Sequence, residues 1–183
     1  VSSGPVNGEQ AEPPVNKAAV QNPASPYAVS KRAAEYYVRT IGRLWKMETV
    51  SLRVFNAYGP GQHLPPSNPP VVPYFLRQAQ RGGSLVVQGD GLQTRDFAYV
   101  DDVVSGLVAA ATAPGIGGMV LNIGSGRETS IRELAKAVLE VTGSNAELIF
   151  NKKAVPGISR LCAGLALSAQ RLNYHPSISL TDG

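Results

Sequence analysis

Two residues in the stretch SPYAVSK, Tyr27 and Lys31, have the types and spacing needed for proton transfer. Ser25 and Pro26 suit the N-cap and first turn of a helix, which we predict to run to about Lys46. Residues four apart on a helix share one face, so the phenol and the ammonium should lie side by side. A phenol titrates near pH ~10, and a neighbouring ammonium or a helix N-terminus favours its ionised form. Such a tyrosine can take a proton from a hydroxyl, although the same spacing also arises by chance in helices.

The composition indicates a globular protein and excludes several function classes. The chain has 183 residues, of which 43% are apolar and 16% charged, which is typical of a folded protein. No apolar run is long enough to cross a membrane, and we expect no signal peptide in the opening VSSGPVNGEQ. The one cysteine, Cys162, cannot form an internal disulfide or a cysteine-rich metal site, and it fits a reducing, cytoplasmic setting. The net charge of +4 is scattered, so we expect no nucleic-acid or membrane partner.

Helix and strand signals alternate along the chain, which predicts an α/β fold. A loop rich in proline and glycine is predicted over 4–24. The helices are predicted at 26–46, 71–83, 101–113, after the capping box of Ser130 and Glu133, and at 166–172. The strands are predicted within 48–62, 84–91, 119–124 and 146–151.

The order of five segments resembles that of one enzyme family. VSSGPVNGE precedes the tyrosine, SPYAVSK supplies the Tyr–Lys pair, and LRVFNAYGPGQ, VVQGDGLQTRDFAYVDDVV and LNIGSGRETSIRELA follow. Together they resemble the extended short-chain dehydrogenase/reductase family, and within it the NAD-dependent nucleotide-sugar epimerases and dehydratases that include UDP-glucose 4-epimerase. The resemblance covers nearly all of 1–183. It implies the C-terminal part of a Rossmann-type doubly wound parallel sheet together with a smaller α/β substrate-binding lobe.

The resemblance assigns catalytic and cofactor roles to a few residues. Tyr27 matches the family's catalytic base, and Lys31 matches the partner that also holds the nicotinamide ribose. Ser3 matches the catalytic Ser or Thr, with Ser2 as the fallback. Phe55 matches a position beside the nicotinamide. The implied cofactor is NAD, with NADP as the alternative, because the residue that decides between them belongs to the family's first half.

Other residues match the family's contacts to a nucleotide sugar. Asn56 matches a residue that contacts the phosphates. Arg95, in TRDF, matches an arginine that grips the diphosphate, and a guanidinium fork suits phosphate oxygens. Three positions fall where the backbone contacts the nucleotide: Val71, Val87 and Gln88.

The chain also departs from the family pattern. No Gly-x-x-Gly-x-x-Gly fingerprint follows a strand, and the GSGRET loop lacks the third glycine, so we interpret it as a structural turn. Asn7 stands where tyrosine is common, and Gly164 stands where aspartate is usual. Val155 stands where a phosphate-binding arginine is usual, and Arg160 or Lys153 is our candidate to replace it.

The residues after the serine favour one reaction over the others. Gly4 and Pro5 occupy places where the family's dehydratases and decarboxylases carry acidic groups, and neither residue can transfer a proton. Oxidation and re-reduction of one sugar carbon remains, so we expect a UDP-sugar 4-epimerase that is impaired in this chain alone. The alternatives are a nucleotide-sugar reductase or dehydratase, and a truncated non-catalytic fragment that binds nucleotide sugars.

The resemblance further implies a domain division and a dimer. Residues 1–62, with about 97–124 returning to them, are expected to form the trailing part of the NAD-binding Rossmann domain. Residues 63–96 and 125–183 are expected to form the nucleotide-sugar-binding lobe. Helix 26–46 is the surface through which family members dimerise, so a homodimer is expected.

Overall fold

The computed structural model describes residues 1–8, 23–153 and 157–183 and shows an α/β protein. The helices of the described chain are α1 (Pro26–Leu44), α2 (Val71–Gln80), α3 (Val100–Thr112), α4 (Ile131–Thr142) and α5 (Ala166–Leu172). Its strands are β1 (Ser2–Ser3), β2 (Ser51–Val54), β3 (Asn56–Tyr58), β4 (Leu85–Gln88), β5 (Thr94–Arg95), β6 (Phe97–Tyr99), β7 (Val120–Ile123), β8 (Thr129–Ser130) and β9 (Leu148–Asn151). A 3-10 turn, Gly4–Asn7, follows β1.

Three parallel strands form the sheet on which α1 packs, in the order β1–β2–β7. Ser2 lies opposite Arg53, and Leu52 lies opposite Leu121. Leu52 and Leu121 share an apolar cluster with residues of α3 and with Leu172 of α5. Such burial is expected, since parallel sheets are usually covered on both faces. The domain division stays a prediction, and α5, which it assigned to the lobe, packs against β7 and α3.

The long helix α1 begins where the sequence predicts and ends two residues earlier. Ser25 is the N-cap, and its hydroxyl accepts a hydrogen bond from the amide of Ala28 at 3.1 Å. The helix stops at Leu44, because the chain then turns through Lys46 at a φ of 54°. At Gly42 an added Cβ would lie 2.8 Å from the Thr49 side chain, so the helix end packs closely on the returning chain.

A second group of elements forms its own core. Strands β4 and β9 pair in parallel, and α2 packs against α4. The predicted capping box is confirmed: the Ser130 hydroxyl accepts from the amide of Glu133, and the Glu133 carboxylate accepts from the amide of Ser130. The buried apolar residues here include Phe75 of α2, Leu85 and Val87 of β4, and Leu134 and Val138 of α4, and partly buried side chains of β9 pack against them.

Four short elements were not predicted. Strands β5 and β8 pair antiparallel, β6 pairs in parallel with β3 of the predicted 48–62 segment, and the 3-10 turn Gly4–Asn7 lies in the predicted loop. Strands of two or three residues are too short to show an alternating pattern. The remainder of the predicted loop, 9–22, lies outside the described residues. Helix α2 ends at Gln80 rather than at 83. Within the described residues, no helix is both long and apolar enough to span a membrane.

Candidate active site

The predicted Tyr–Lys pair lies on the first turns of α1. Tyr27 is 53% exposed, and the Lys31 Nζ lies 5.7 Å from the centroid of its ring. This is within the range of a cation–π contact. The phenol and the ammonium therefore share one accessible face of the helix, as the four-residue spacing predicts.

The two serines of β1 have different surroundings. Ser2 is buried, and its hydroxyl donates to the Glu35 carboxylate at 2.6 Å. Ser3 is partly exposed and lies at the carboxyl end of β1, where open parallel sheets place their ligands. Because the Ser2 hydroxyl is already bound to Glu35, Ser3 is the better candidate for chemistry.

A buried ionic network, absent from our predictions, joins α1 to the sheet. Glu35 accepts hydrogen bonds from the Arg53 Nε at 2.7 Å and the Arg53 Nη2 at 2.8 Å. The Arg53 Nη1 donates to the Asn7 side chain at 2.8 Å. Arg53 is 1% exposed and Glu35 is 5% exposed. Asn7, which replaces a tyrosine common in the family pattern, is thus a buried structural partner.

The network makes the stability of the fold depend on pH, with stability lost at low pH. Burial acts to raise the pKa of Glu35, but hydrogen bonds from Arg53 and Ser2 and the charge of Arg53 outweigh it, so the pKa lies below the ordinary 4.5. A carboxylate with a lowered folded pKa stabilises the fold above its unfolded pKa, and this contribution is lost as the pH falls through the folded value. The difference in the free energy of unfolding between wild type and Glu35→Gln should therefore be largest near neutral pH and decrease below about pH 4.5.

Urea unfolding at a series of pH values measures this gap. Glu140→Gln, which changes an exposed carboxylate on α4, is the matched control, since it removes no buried charge. A gap between wild type and Glu35→Gln that stays constant from pH 7 to pH 3 would contradict the prediction.

The positions matched to nucleotide contacts are only partly brought together. Asn56 and Val71 line one cavity of about 160 Å³ that opens at the N-terminal end of α2. Asn56 is exposed there. Val87 is fully buried in β4, and Gln88, next to it, is exposed and accepts a hydrogen bond from the Asn151 side chain at 3.0 Å. The cavity of Asn56 and Val71 is therefore the best-formed candidate for a nucleotide-sugar phosphate.

Both candidate phosphate arginines make contacts within the protein. The Arg95 Nη1 donates to the carbonyls of Thr94 at 2.7 Å and Ile158 at 2.8 Å. Arg160 forms an exposed ion pair with Glu128, with Nη2 and Oε2 at 2.6 Å. The hydrogen bonds from Arg160 lower the pKa of the Glu128 carboxyl. An incoming diphosphate would have to compete for Arg160. Val155 lies outside the described residues.

Phe55 lies beneath the turn that follows Ser3. It is 3% exposed and packs with Leu161 and Ala163. A Cβ added to Gly4 would lie 2.9 Å from the Phe55 ring. The ring therefore supports the Ser3–Gly4 backbone from below, and its role beside a nicotinamide stays a prediction.

A buried aspartate, which the sequence reasoning missed, holds the GSG loop. The Asp96 carboxylate accepts hydrogen bonds from the amides of Ser125 at 2.6 Å, Gly126 at 2.9 Å and Ala163 at 2.9 Å. Burial raises the pKa of Asp96, and these donors act to lower it. Burial also raises the pKa of Cys162, close by, to about 12. Because the Ser125 and Gly126 amides point at a carboxylate of the protein, they are engaged in holding a turn.

Comparison with known proteins decides the family. Residues 1–124 match the model of the NAD dependent epimerase/dehydratase family. The chain belongs to this family. The predicted resemblance is confirmed, and Tyr27, Lys31 and Ser3 all lie within the part of the epimerase/dehydratase chain that matches.

Individual relatives are similar to this chain in sequence and structure over its whole length. The putative UDP-glucose 4-epimerase of Methanocaldococcus jannaschii is 34% identical over 182 residues, which are all of this chain and 58% of that protein. The UDP-glucose 4-epimerase of Thermotoga maritima, solved with UDP-glucose, superposes with a TM-score of 0.92 at 30% identity, over 100% of this chain and 59% of that one. The UDP-glucuronic acid 4-epimerase of Bacillus cereus, solved with UDP-glucuronic acid and NAD, gives 0.90 at 33% identity, over 100% and 57%. The predicted fold class is confirmed, and this epimerase/dehydratase chain spans a little under three fifths of each relative's length.

Proposed function

We propose that this chain supplies the proton-transfer residues and the nucleotide-sugar site of an NAD-dependent UDP-sugar 4-epimerase. The observation that carries this proposal is the accessible Tyr27–Lys31 pair on the first turns of α1. Ser3, at the end of β1, supplies a hydroxyl that Ser2 cannot supply. The similarity to UDP-sugar 4-epimerases over the full length of this chain supports the substrate class.

In this proposal the chain's own residues move one proton. Tyr27 takes the proton from the sugar hydroxyl at C4, and Lys31 beside it favours the ionised phenol. Ser3 orients the hydroxyl or relays its proton. NAD, when bound, supplies the acceptance and return of a hydride at the same carbon. Gly4 and Pro5 have no acidic or basic side chain. At these positions the chain therefore has no group that could transfer a proton in an elimination or a decarboxylation.

The residues present fit NAD at one end of the cofactor. Tyr27 and Lys31 would hold the nicotinamide ribose, with Phe55 beneath the neighbouring turn. The pyrophosphate ordinarily rests on a glycine-rich turn at a helix N-terminus. The one loop of that kind in the described chain carries amides that bind Asp96 instead.

The UDP half of the substrate would lie across the cavity of Asn56 and Val71. A helix N-terminus favours negative charge, and the α2 end of this cavity offers one. Arg95 and Arg160 would add charge to the diphosphate. For Arg160 the cost is small, since an exposed ion pair such as that with Glu128 contributes little to stability.

The activity test is an epimerase assay on a fusion. The nucleotide-binding half of the Methanocaldococcus jannaschii relative is joined before Val1, and conversion of UDP-glucose to its C4 epimer is followed by NMR. We expect the fusion to convert UDP-glucose. We also expect calorimetry to show that the 183-residue chain binds UDP-glucose without the added half. UDP-glucose binding without conversion in the fusion would favour a non-catalytic nucleotide-sugar-binding role.

We also propose that α1 forms a homodimer. Several apolar side chains on the helix are exposed, among them Val38, Ile41 and Leu44, and so is Trp45, which follows the helix. A large exposed apolar surface usually marks an interface. Light scattering at high protein concentration should give twice the chain mass, and a monomer under those conditions would count against the dimer.

A further inference from the structure

Glu35 lies on the same stripe of α1 as the reactive pair. It follows Lys31 by four residues and Tyr27 by eight, so the three side chains lie on successive turns of nearly one face. Their exposure changes along this stripe: Tyr27 is 53% exposed and Glu35 is 5% exposed. The stripe thus begins at the open site and ends under the protein surface, where Glu35 meets the sheet.

The Glu35 carboxylate binds two strands as well as its own helix. It accepts from Ser2 of β1 at 2.6 Å and from the Arg53 Nε and Nη2 of β2 at 2.7 and 2.8 Å. Arg32, on α1, donates to it at 3.0 Å. Four donors satisfy both carboxylate oxygens, so the helix that carries Tyr27 is fixed to the strand that carries Ser3.

A second arm of the network reaches the other side of Ser3. The Arg53 Nη1 donates to the Asn7 side chain, and the Asn7 Nδ2 donates to the Gly4 carbonyl at 2.9 Å. Ser2 and Gly4, the two neighbours of Ser3, are therefore both connected to Arg53, one through Glu35 and one through Asn7. One guanidinium thus holds both neighbours of Ser3 indirectly, Ser2 by its hydroxyl and Gly4 by its carbonyl.

Resting on the epimerase function proposed above, we propose that Glu35 and Arg53 are positioning residues that set the distance between Ser3 and the Tyr27–Lys31 pair. Stability alone does not call for such a pair, since apolar residues of similar volume often replace a buried ion pair without loss. A bidentate pair fixes direction as well as distance, which apolar packing does not. Small misplacements of reacting groups can reduce rates about a hundredfold.

Two variants separate positioning from stability. The double variant Glu35→Met/Arg53→Met keeps the buried volume and removes the hydrogen bonds. Arg53→Lys keeps the charge but loses the fork, so one ammonium cannot hold Glu35 and Asn7 as a guanidinium does. Arg39→Met is the control, since Arg39 lies on the same helix with its guanidinium 5.3 Å from the Tyr36 ring.

Two measurements are made on each variant that keeps its unfolding transition. In the fusion described above, we expect kcat at least tenfold lower with the KM for UDP-glucose unchanged within twofold. In the 183-residue chain itself, amide hydrogen exchange of residues 4–8 should be at least tenfold faster. Arg39→Met should alter neither. Variants that fold and keep both wild-type kcat and wild-type exchange would overturn the proposal.

The two proposals fail in different ways. A fusion that shows no epimerase activity before any substitution would refute the proposed function. The exchange of residues 4–8 in the chain would then decide the positioning role, with unchanged exchange in Arg53→Lys refuting it. The pair would be assigned to stability alone by two results together. The double variant Glu35→Met/Arg53→Met would lose stability, while Arg53→Lys would keep normal kcat and normal exchange.

Discussion

A calorimetric titration of NAD into the 183-residue chain should give a dissociation constant of about a millimolar or weaker. Tyr27 and Lys31 can reach only the nicotinamide ribose end in the proposed arrangement. A few hydrogen bonds contribute about 0.5–1.5 kcal/mol each, while association costs at least ~4 kcal/mol. The hydrogen bonds therefore only about offset the cost of association, and the balance falls short of the roughly −4.1 kcal/mol that corresponds to a millimolar constant.

The same titration on the fusion supplies the comparison. With a glycine-rich turn and its helix N-terminus present, the pyrophosphate has its ordinary site. NAD should then bind at least about a thousandfold more tightly, in the micromolar range or below. Micromolar binding by the 183-residue chain alone would contradict the prediction and would mean that a phosphate site exists elsewhere. UDP-glucose is the internal control, since its proposed site lies within this chain.

The starts of α1, which carries Tyr27 and Lys31, and of α4 were predictable because their signals are local. Ser25 and Pro26 mark the start of α1 within two residues, and the capping box of Ser130 and Glu133 does the same for α4. Each signal depends on hydrogen bonds between residues three apart. A spacing of four on a helix likewise fixes a shared face, so the contact between Tyr27 and Lys31 follows directly from the sequence.

The network that supports the pair was not predictable from the same signals. A glutamate on a helix with exposed faces has the ordinary appearance of a solvated charge, and Glu35 is buried only because β1 and β2 pass beneath it. Asp96 is similar, since its three amide donors come from two distant loops. These contacts depend on tertiary packing. The one available clue is spacing, because Glu35 continues the stripe of Tyr27 and Lys31 by one more turn.

Replacement of Tyr27 by Phe should lower kcat of the fusion by about 10²- to 10⁴-fold, the usual contribution of a general acid–base group. The substitution removes one hydroxyl from a side chain that is 53% exposed, so the fold should be unaffected. Because the UDP half would be held by other residues, the KM for UDP-glucose should change little. Steady-state conversion followed by NMR gives both constants.

The control for this substitution is Tyr37→Phe, which removes the same hydroxyl from an exposed tyrosine, 70% accessible, on the same helix. It should keep kcat within about twofold, since removing a solvated surface group perturbs little. Equal losses in both variants would indicate that any tyrosine hydroxyl on α1 matters for folding or assembly. A Tyr27→Phe fusion with full kcat would show that Tyr27 is not the proton acceptor. The proposed proton path would then be wrong as a whole, because the proposed role of Lys31 depends on that phenol.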